Sequence, residues 1–290
     1  MSEISQTGRL PMRPASGERI LVIGDGPVAR ALGRALERSG APVERWWRRK
    51  GGAMPGGDVV VLAVRDSEIA RAAEQVMARL AASDTLPILL HCAGALPAEE
   101  PFALLSPRPL GVGLVHPLRA FAGAPEDADL VGTVFGVQGD EPGRDAALRL
   151  VKRMGGVPLS LEDRGGTALA RYHAAAVLVS NHAVGLVDAG VELLTQAGLE
   201  RGEATRALAE LLMSTAANLK QAGLPDALTG PVARGDVMVV ARHLLALRDR
   251  REIAALYRAT GRRVTKVAAE KGQAPKEALE RIRALLVDGD

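Results

Sequence analysis

Between Arg19 and Leu161 short β-branched runs alternate with stretches of helical period, and beyond Glu162 the strand signals stop. No other feature constrains the fold so tightly: the first half reads as βαβ units feeding a parallel sheet, the second as helices alone. Strands are expected at residues 20–23, 42–47, 58–64, 86–91, 111–115 and 133–138, with helices at 27–39, 67–82 and 141–154. Runs such as Val59–Val64 are wholly apolar, as strands covered on both faces must be. In the second half, helices are expected at 166–197, 201–221, 236–247, 251–260 and 275–286, separated by Gly and Pro clusters. The resulting plan is a leader (1–18), an α/β domain with a mostly parallel sheet (19–161) and an all-α domain (162–290).

Composition narrows the function classes. A chain of 290 residues with 47% hydrophobic content can bury a core in each of two domains. Its single cysteine, Cys92, excludes an intramolecular disulfide and offers no thiolate cluster for zinc, which suits a reducing cytoplasm. No metal site is supported. The first eighteen residues lack the apolar centre of a secretory signal and read as a disordered leader, and the longest purely apolar runs are strand-sized, so no bilayer crossing is expected. The formal charge is +3 with basic ends, but 2% aromatic content leaves few rings for base stacking and no nucleic-acid motif occurs.

The segment Arg19–Gly33, RILVIGDGPVARALG, reads as strand, glycine turn, helix. Gly24 permits the tight turn, Gly26 lets backbone approach a pyrophosphate, and Ala29 stands where a third glycine is usual, forming with Gly33 a small surface for the helix against the sheet. The free amides and positive end of the helix dipole would face the phosphates. This is the fingerprint of a Rossmann NAD(P) domain, and Gly24, Asp25, Gly26, Pro27, Val28 and Ala29 are its expected cofactor contacts. At the end of the second strand an acid would bind a ribose hydroxyl, whereas arginines would accept a 2′-phosphate. Trp47 stands about where the acid would be, followed by Arg48, Arg49 and Lys50, so NADP is expected in preference to NAD, with Trp46 or Trp47 placed beside the adenine. Val64 and Arg65, after the third strand, complete the cofactor set.

Ligands of such sheets bind beyond the carboxyl ends of the strands. His91 ends the fourth strand and is a substrate-binding candidate or a core histidine; Asp66 reads as a helix cap. His116 ends the fifth, where a nicotinamide and its substrate would meet, and an imidazole titrating near neutrality could donate or accept the proton accompanying hydride transfer. In the helical half His173 and Ser180 are seven residues apart and share a helix face, with Asn181 beside them, while His182 points elsewhere. Asn218, Thr229 and Arg234 are further substrate-binding candidates: Arg234 follows a Gly-Pro turn and suits a carboxylate or phosphate, and Asp236 reads as the N-cap of the next helix.

Together GDGPVA at Gly24, HCAGAL at His91, HPLRAF at His116, YHAAAVLVSNH at Tyr172 and ALTGPVARGD at Ala227 resemble a bacterial family of two-domain proteins. That family pairs a Rossmann-like NADP-binding half with a helical domain of unassigned function. It is similar to ketopantoate reductases, pyrroline-5-carboxylate reductases and deazaflavin-dependent NADP reductases. The resemblance implies an NADP-linked oxidoreductase acting on a small molecule between its domains, with His116 and His173 catalytic, and a homodimer formed through the helical domain. Ketopantoate reductase uses a lysine and an asparagine on the first long helix; His173 is closest to the lysine's place, which puts that chemistry in doubt here. The His-Pro pair at His116 is also similar to one in prephenate dehydrogenases, although the residues after Pro117 depart from that pattern. A non-catalytic NADP sensor or partner-binding dimer is the alternative from another class.

Overall fold

The computed structural model describes residues 17–80, 85–122, 129–161 and 167–287. Contacts divide the chain into two compact units, Met1–Ser180 and Asn181–Asp290. In the first, strands β1 (Ile20–Ile23), β2 (Val43–Trp46), β3 (Val59–Leu62), β4 (Ile88–His91), β5 (Gly111–Pro117), β6 (Val134–Gly139) and β7 (Val157–Ser160) form one sheet in the order β2-β1-β3-β4-β5-β6-β7. Every pair is parallel except β5 and β6. The chain leaves β1 toward β2 on one side and returns to β3 on the other. A crevice therefore opens at the carboxyl ends of β1 and β3, the topological switch point where such sheets take ligands.

Alternation along the central strands builds two cores. Ile20 and Val22 pack with Ala29, Leu32 and Leu36 of α1 (Pro27–Arg38) and with Leu150 and Val151 of α3 (Glu141–Arg153). Leu21 and Ile23 face the other way, onto Ile69, Ala73 and Val76 of α2 (Ile69–Leu80). Period two in the strand thus meets period 3.6 in the helices, and each buried Leu or Ile stabilises the fold by about 1.5–3 kcal/mol. Asp140 caps α3, accepting from the Gly143 amide at 2.9 Å, and also accepts from the Val112 amide of β5 at 3.1 Å.

The expected strands are all present, and two features go beyond them. β7 is an exposed edge strand with Pro158 inside it, too short and too proline-marked to stand out in the sequence. β6 lies antiparallel to β5, and no helix crosses between them among the described residues. α2 begins at Ile69 behind a single 3-10 turn, Asp66–Glu68. Its expected end at 82, the start of the next helix at 166 and the leader through residue 16 lie outside the described residues.

The long helix expected over 166–197 is two: α4 (Ala168–Val179) and α5 (Asn181–Gln196), broken at Ser180, whose φ and ψ of −109° and −76° lie well off the helical mean. Ser and Asn favour such breaks because their side chains compete with the backbone ladder. Composition changes at 162, whereas the compact units divide after Ser180, because α4 belongs to the sheet: Leu169 and Tyr172 pack on Ala98 and Leu114.

The second unit comprises α5, α6 (Arg201–Ala222), α7 (Pro231–Arg234), α8 (Val237–Ala246), α9 (Arg251–Lys271) and α10 (Lys276–Leu285). α5 and α6 form a hairpin in which Gly190 accommodates Leu208. Val232, Val240, Ala268, Leu279, Ile282 and Leu286 make a separate core. α9 runs eleven residues past its expected end at Thr260, because Gly261 is not a stop but a seat for Leu286. Arg258 and Arg262 of α9 donate to the last carbonyls of α10, those of Leu285 and Leu286.

Candidate functional site

The glycine turn between β1 and α1 has the geometry its sequence demands. Gly24 has φ +141°, and a Cβ there would overlap the Ala63 carbonyl oxygen at the end of β3. Only glycine lets the two strand ends approach so closely. Gly26 caps α1 in ordinary extended conformation (φ −73°), and a Cβ on it would meet nothing within 4 Å. The start of α1, with Pro27 in its first turn, therefore faces open space, while Ala29 is fully buried beneath it. The residues fit a dinucleotide: a closed seam under the loop and room above it for a pyrophosphate. Val64 is half-buried and Arg65 exposed, beyond β3 at the same edge of the sheet.

At the end of β2 the side chains separate by role. Trp46 packs on the α2 side of the sheet. The Arg45 guanidinium and the Lys50 ammonium lie 5.6 and 5.2 Å from the Trp47 ring centroid, and Lys50 Nζ donates to the Arg45 carbonyl at 2.9 Å. Gly33 meets the sheet through Arg45 of β2, whose Cδ a Cβ there would overlap, and with Ala29 it gives α1 the small surface expected of it. Arg48 and Arg49 are exposed on a single 3-10 turn.

His91 is fully buried and both of its ring nitrogens are engaged locally. Nδ1 accepts from the Ala93 amide at 3.2 Å and Nε2 lies 3.3 Å from the Pro97 carbonyl, to which it donates as the neutral ring. Burial lowers its pKa to about 4, against an opposing pull from the Pro97 carbonyl. The imidazole braces the turn after β4 and has no free nitrogen for a substrate. Burial, and then the Asp66 carboxylate, push the neighbouring Cys92 thiol up to about 12, so it stays protonated.

His116, near the end of β5, meets α4. Its Nδ1 lies 2.9 Å from the Tyr172 hydroxyl, with the rings edge-on at 5.6 Å, and the His173 ring is also edge-on at 5.9 Å. Two glycines make the space. A Cβ on Gly94 would lie 2.8 Å from His116 Nε2 and 2.9 Å from His173 Cδ2, and one on Gly136 would overlap the Tyr172 hydroxyl. Gly136 is the direct cross-strand partner of His116, so the phenol occupies the volume where that partner's side chain would stand. Burial, and then the nearby His173, lower the His116 pKa to about 4. The expectation of an imidazole titrating near neutrality is corrected accordingly: at pH 7 the ring is neutral, fit to donate one hydrogen bond and accept another.

The structure thus brings His116 and His173 together and adds Tyr172, Gly94 and Gly136, which sequence reasoning did not assign. The signal for Tyr172 was its rarity, being one of two tyrosines. The remaining candidates belong to the second unit. Asn181 opens α5, Asn218 is exposed on α6 and Thr229 is exposed before α7. Arg234 carries an obligation the sequence reading did not give it, since its Nε and Nη2 reach Asp236 Oδ2 at 3.0 and 2.9 Å. Asp236 does occupy the N-cap position of α8, but its carboxylate serves Arg234 rather than the helix amides.

Among the described residues one stretch, Ala168–Gln196, has the length and mean hydropathy (1.4) of a membrane span, with 6% of its apolar window buried. The break at Ser180 and the polar groups of His173, Asn181, His182 and Asp188 interrupt it. No group of His, Cys, Asp and Glu fit to hold a metal occurs among the described residues.

Residues 133–264 match the family model described as "Domain of unknown function (DUF2520)". No curated protein matches the sequence. Among solved structures, the chain is similar to protein TM1727 from Thermotoga maritima, with TM-score 0.67, 24% identity, and 87% of this chain and 99% of that one covered. A candidate NADP oxidoreductase from Bacteroides fragilis, BF3122, follows at TM-score 0.65 and 20% identity, with 86% and 98% covered. Plasmodium falciparum pyrroline carboxylate reductase with NADP bound has TM-score 0.53 and 12% identity, with 93% and 98% covered. At these identities the likeness is one of fold. The matched segment begins at Thr133, ahead of β6, and so includes the strand that carries Gly136 and the helix that carries Tyr172 and His173. The chain has a Rossmann-type sheet, and its residues 133–264 are similar to the domain of unknown function DUF2520.

Proposed function

We propose that the protein binds NADP in preference to NAD at the glycine turn and transfers a hydride between NADPH and a small carbonyl or imine compound bearing an acidic group. One observation carries this reading: the Gly24–Ala63 seam and His116 stand at the carboxyl ends of strands that run parallel in one sheet. The cofactor when bound supplies a hydride to the substrate carbon, whose oxygen or nitrogen takes up a proton. The amides at the start of α1 hold the diphosphate, and Arg48 and Arg49 hold the 2′-phosphate. His116 donates a hydrogen bond to the atom on which charge develops, and His173 beside it binds the remainder of the substrate. Similarity to a candidate NADP oxidoreductase and to a reductase with NADP bound supports the reading.

Replacing Arg48 and Arg49 together with glutamine should weaken NADPH binding roughly 100-fold, two charge-assisted contacts being lost, and NADH binding less than about threefold. Tryptophan fluorescence reads this directly, because Trp46 and Trp47 are the only tryptophans. Equal loss for both nucleotides would remove the assignment. NADPH that binds but is never consumed across a panel of keto acids and cyclic imines would leave a binding protein without catalysis.

A homodimer through the helical unit belongs to the same proposal. Leu211, Leu212 and Met213 of α6 are 62%, 42% and 64% exposed. Successive helical residues point about 100° apart, so these three stand on different sides of α6 and α5 alone cannot cover them. A second copy can, and the mixed charges of Arg206, Glu210 and Lys220 on the same helix suit a protein partner rather than lipid. Light scattering should give a dimer mass for the native chain and a monomer mass for Leu211→Glu with Met213→Glu. A native monomer, or native protein that sediments with lipid vesicles, would overturn this.

A further inference from the structure

We infer that Tyr172 is a positioning residue: its hydroxyl donates to Nδ1 of His116 and fixes the ring as the Nε2–H tautomer, so that the imidazole edge beside Gly94 is a hydrogen-bond donor. The tautomer follows from this chain's geometry; its consequence for turnover rests on the reductase reading above.

The two atoms are 2.9 Å apart, so one proton lies between them. A neutral imidazole has one N–H and one lone pair, and which nitrogen carries the proton is set by the bond the other makes. Burial pushes the Tyr172 phenol up to about 12, with a smaller opposing pull from the Gly136 backbone amide. The hydroxyl therefore keeps its proton, and the amide dipole beside its oxygen favours negative charge there. An oxygen so placed is the donor's heavy atom, and Nδ1 is the acceptor it faces. The proton of the ring is then on Nε2, the nitrogen nearest Gly94.

The surroundings hold this arrangement. Gly136 gives the phenol its seat opposite His116 across the β5–β6 ladder, and Leu169 and Tyr172 anchor α4 on Ala98 and Leu114. An unpinned imidazole would spend part of its time with a lone pair turned toward the reacting atom, repelling the oxyanion that hydride addition creates. The other tyrosine of the chain makes a similar pair, Tyr257 with His243 Nδ1 at 2.9 Å, but on an exposed histidine, and serves as an internal reference.

Two-bond nitrogen–proton NMR of protein labelled in its five histidines reads the tautomer without any substrate. In native protein at pH 7, His116 Nδ1 should show the unprotonated shift and Nε2 the protonated one. In Tyr172→Phe both should move toward the average of a mixed population, with His243 unchanged. With a substrate in hand, kcat should fall about three- to tenfold at unchanged KM, the range of one neutral hydrogen bond. A native Nδ1–H ring, or shifts unmoved by Tyr172→Phe, would overturn the inference. NADPH titration of the same native sample separates the two levels: no binding removes the reductase reading and leaves the tautomer standing, whereas binding with the wrong tautomer removes Tyr172 alone.

Discussion

Alanine at Gly26 should leave the fold intact and abolish dinucleotide binding, whereas alanine at Gly24 should cost both. At Gly26 a methyl group meets nothing within 4 Å and the backbone is one that any residue adopts. The stability change should therefore stay within about 1 kcal/mol, and can be a gain. The methyl would occupy the space in front of the first amides of α1, where a diphosphate must come within hydrogen-bonding distance, so NADPH affinity should fall at least about 100-fold. At Gly24 the added Cβ overlaps a backbone carbonyl at φ +141°, and neither partner can move without displacing a central strand. A loss of about 3–5 kcal/mol is expected, at the high end for single substitutions. Urea unfolding together with NADPH titration checks the pair. Full NADPH affinity in a folded Gly26→Ala protein would place the ligand elsewhere.

Replacing His116 with alanine should lower kcat about 10²–10³-fold, the effect of removing one donor aimed at developing charge. The pH profile should be informative as well. A histidine at its ordinary pKa of 6.5 would bend the rate near that value, but His116 stays neutral down to about 4. The kcat of native enzyme should therefore show no inflection from His116 between pH 5 and 8, and loss through this ring should set in only as the pH approaches about 4 and it takes a proton. The sign follows from burial: the protonated ring is the disfavoured form, so acid removes the competent state. An inflection near 6.5 that vanishes in His116→Ala would show a solvated imidazole and overturn this account.

Much of the fold was legible because it rests on local pattern. β1, α1 and the glycine turn were readable to within a residue: strand alternation, Gly24, Pro27 and the Ala29–Leu32–Leu36 stripe all point the same way. The misreadings share another cause. Gly261 looks like a helix stop until Leu286 is seen against it. There a distant side chain decides what a glycine is for. Tyr172 was missed for the same reason, its partner lying 56 residues away on a strand whose neighbour had to be known first. The Arg234–Asp236 pair, two residues apart, was within reach of sequence reasoning, which gave the carboxylate to the helix and left the guanidinium for a ligand.

Gly94 and Gly136 have a consequence beyond the rings they admit. The packing around His116 takes its shape from two residues that contribute no side chain, one in the turn after β4 and one in the middle of β6. The rings are thus seated against hydrogen atoms on two sides, and any growth at either point displaces them from within, where no adjustment at the protein surface can make room.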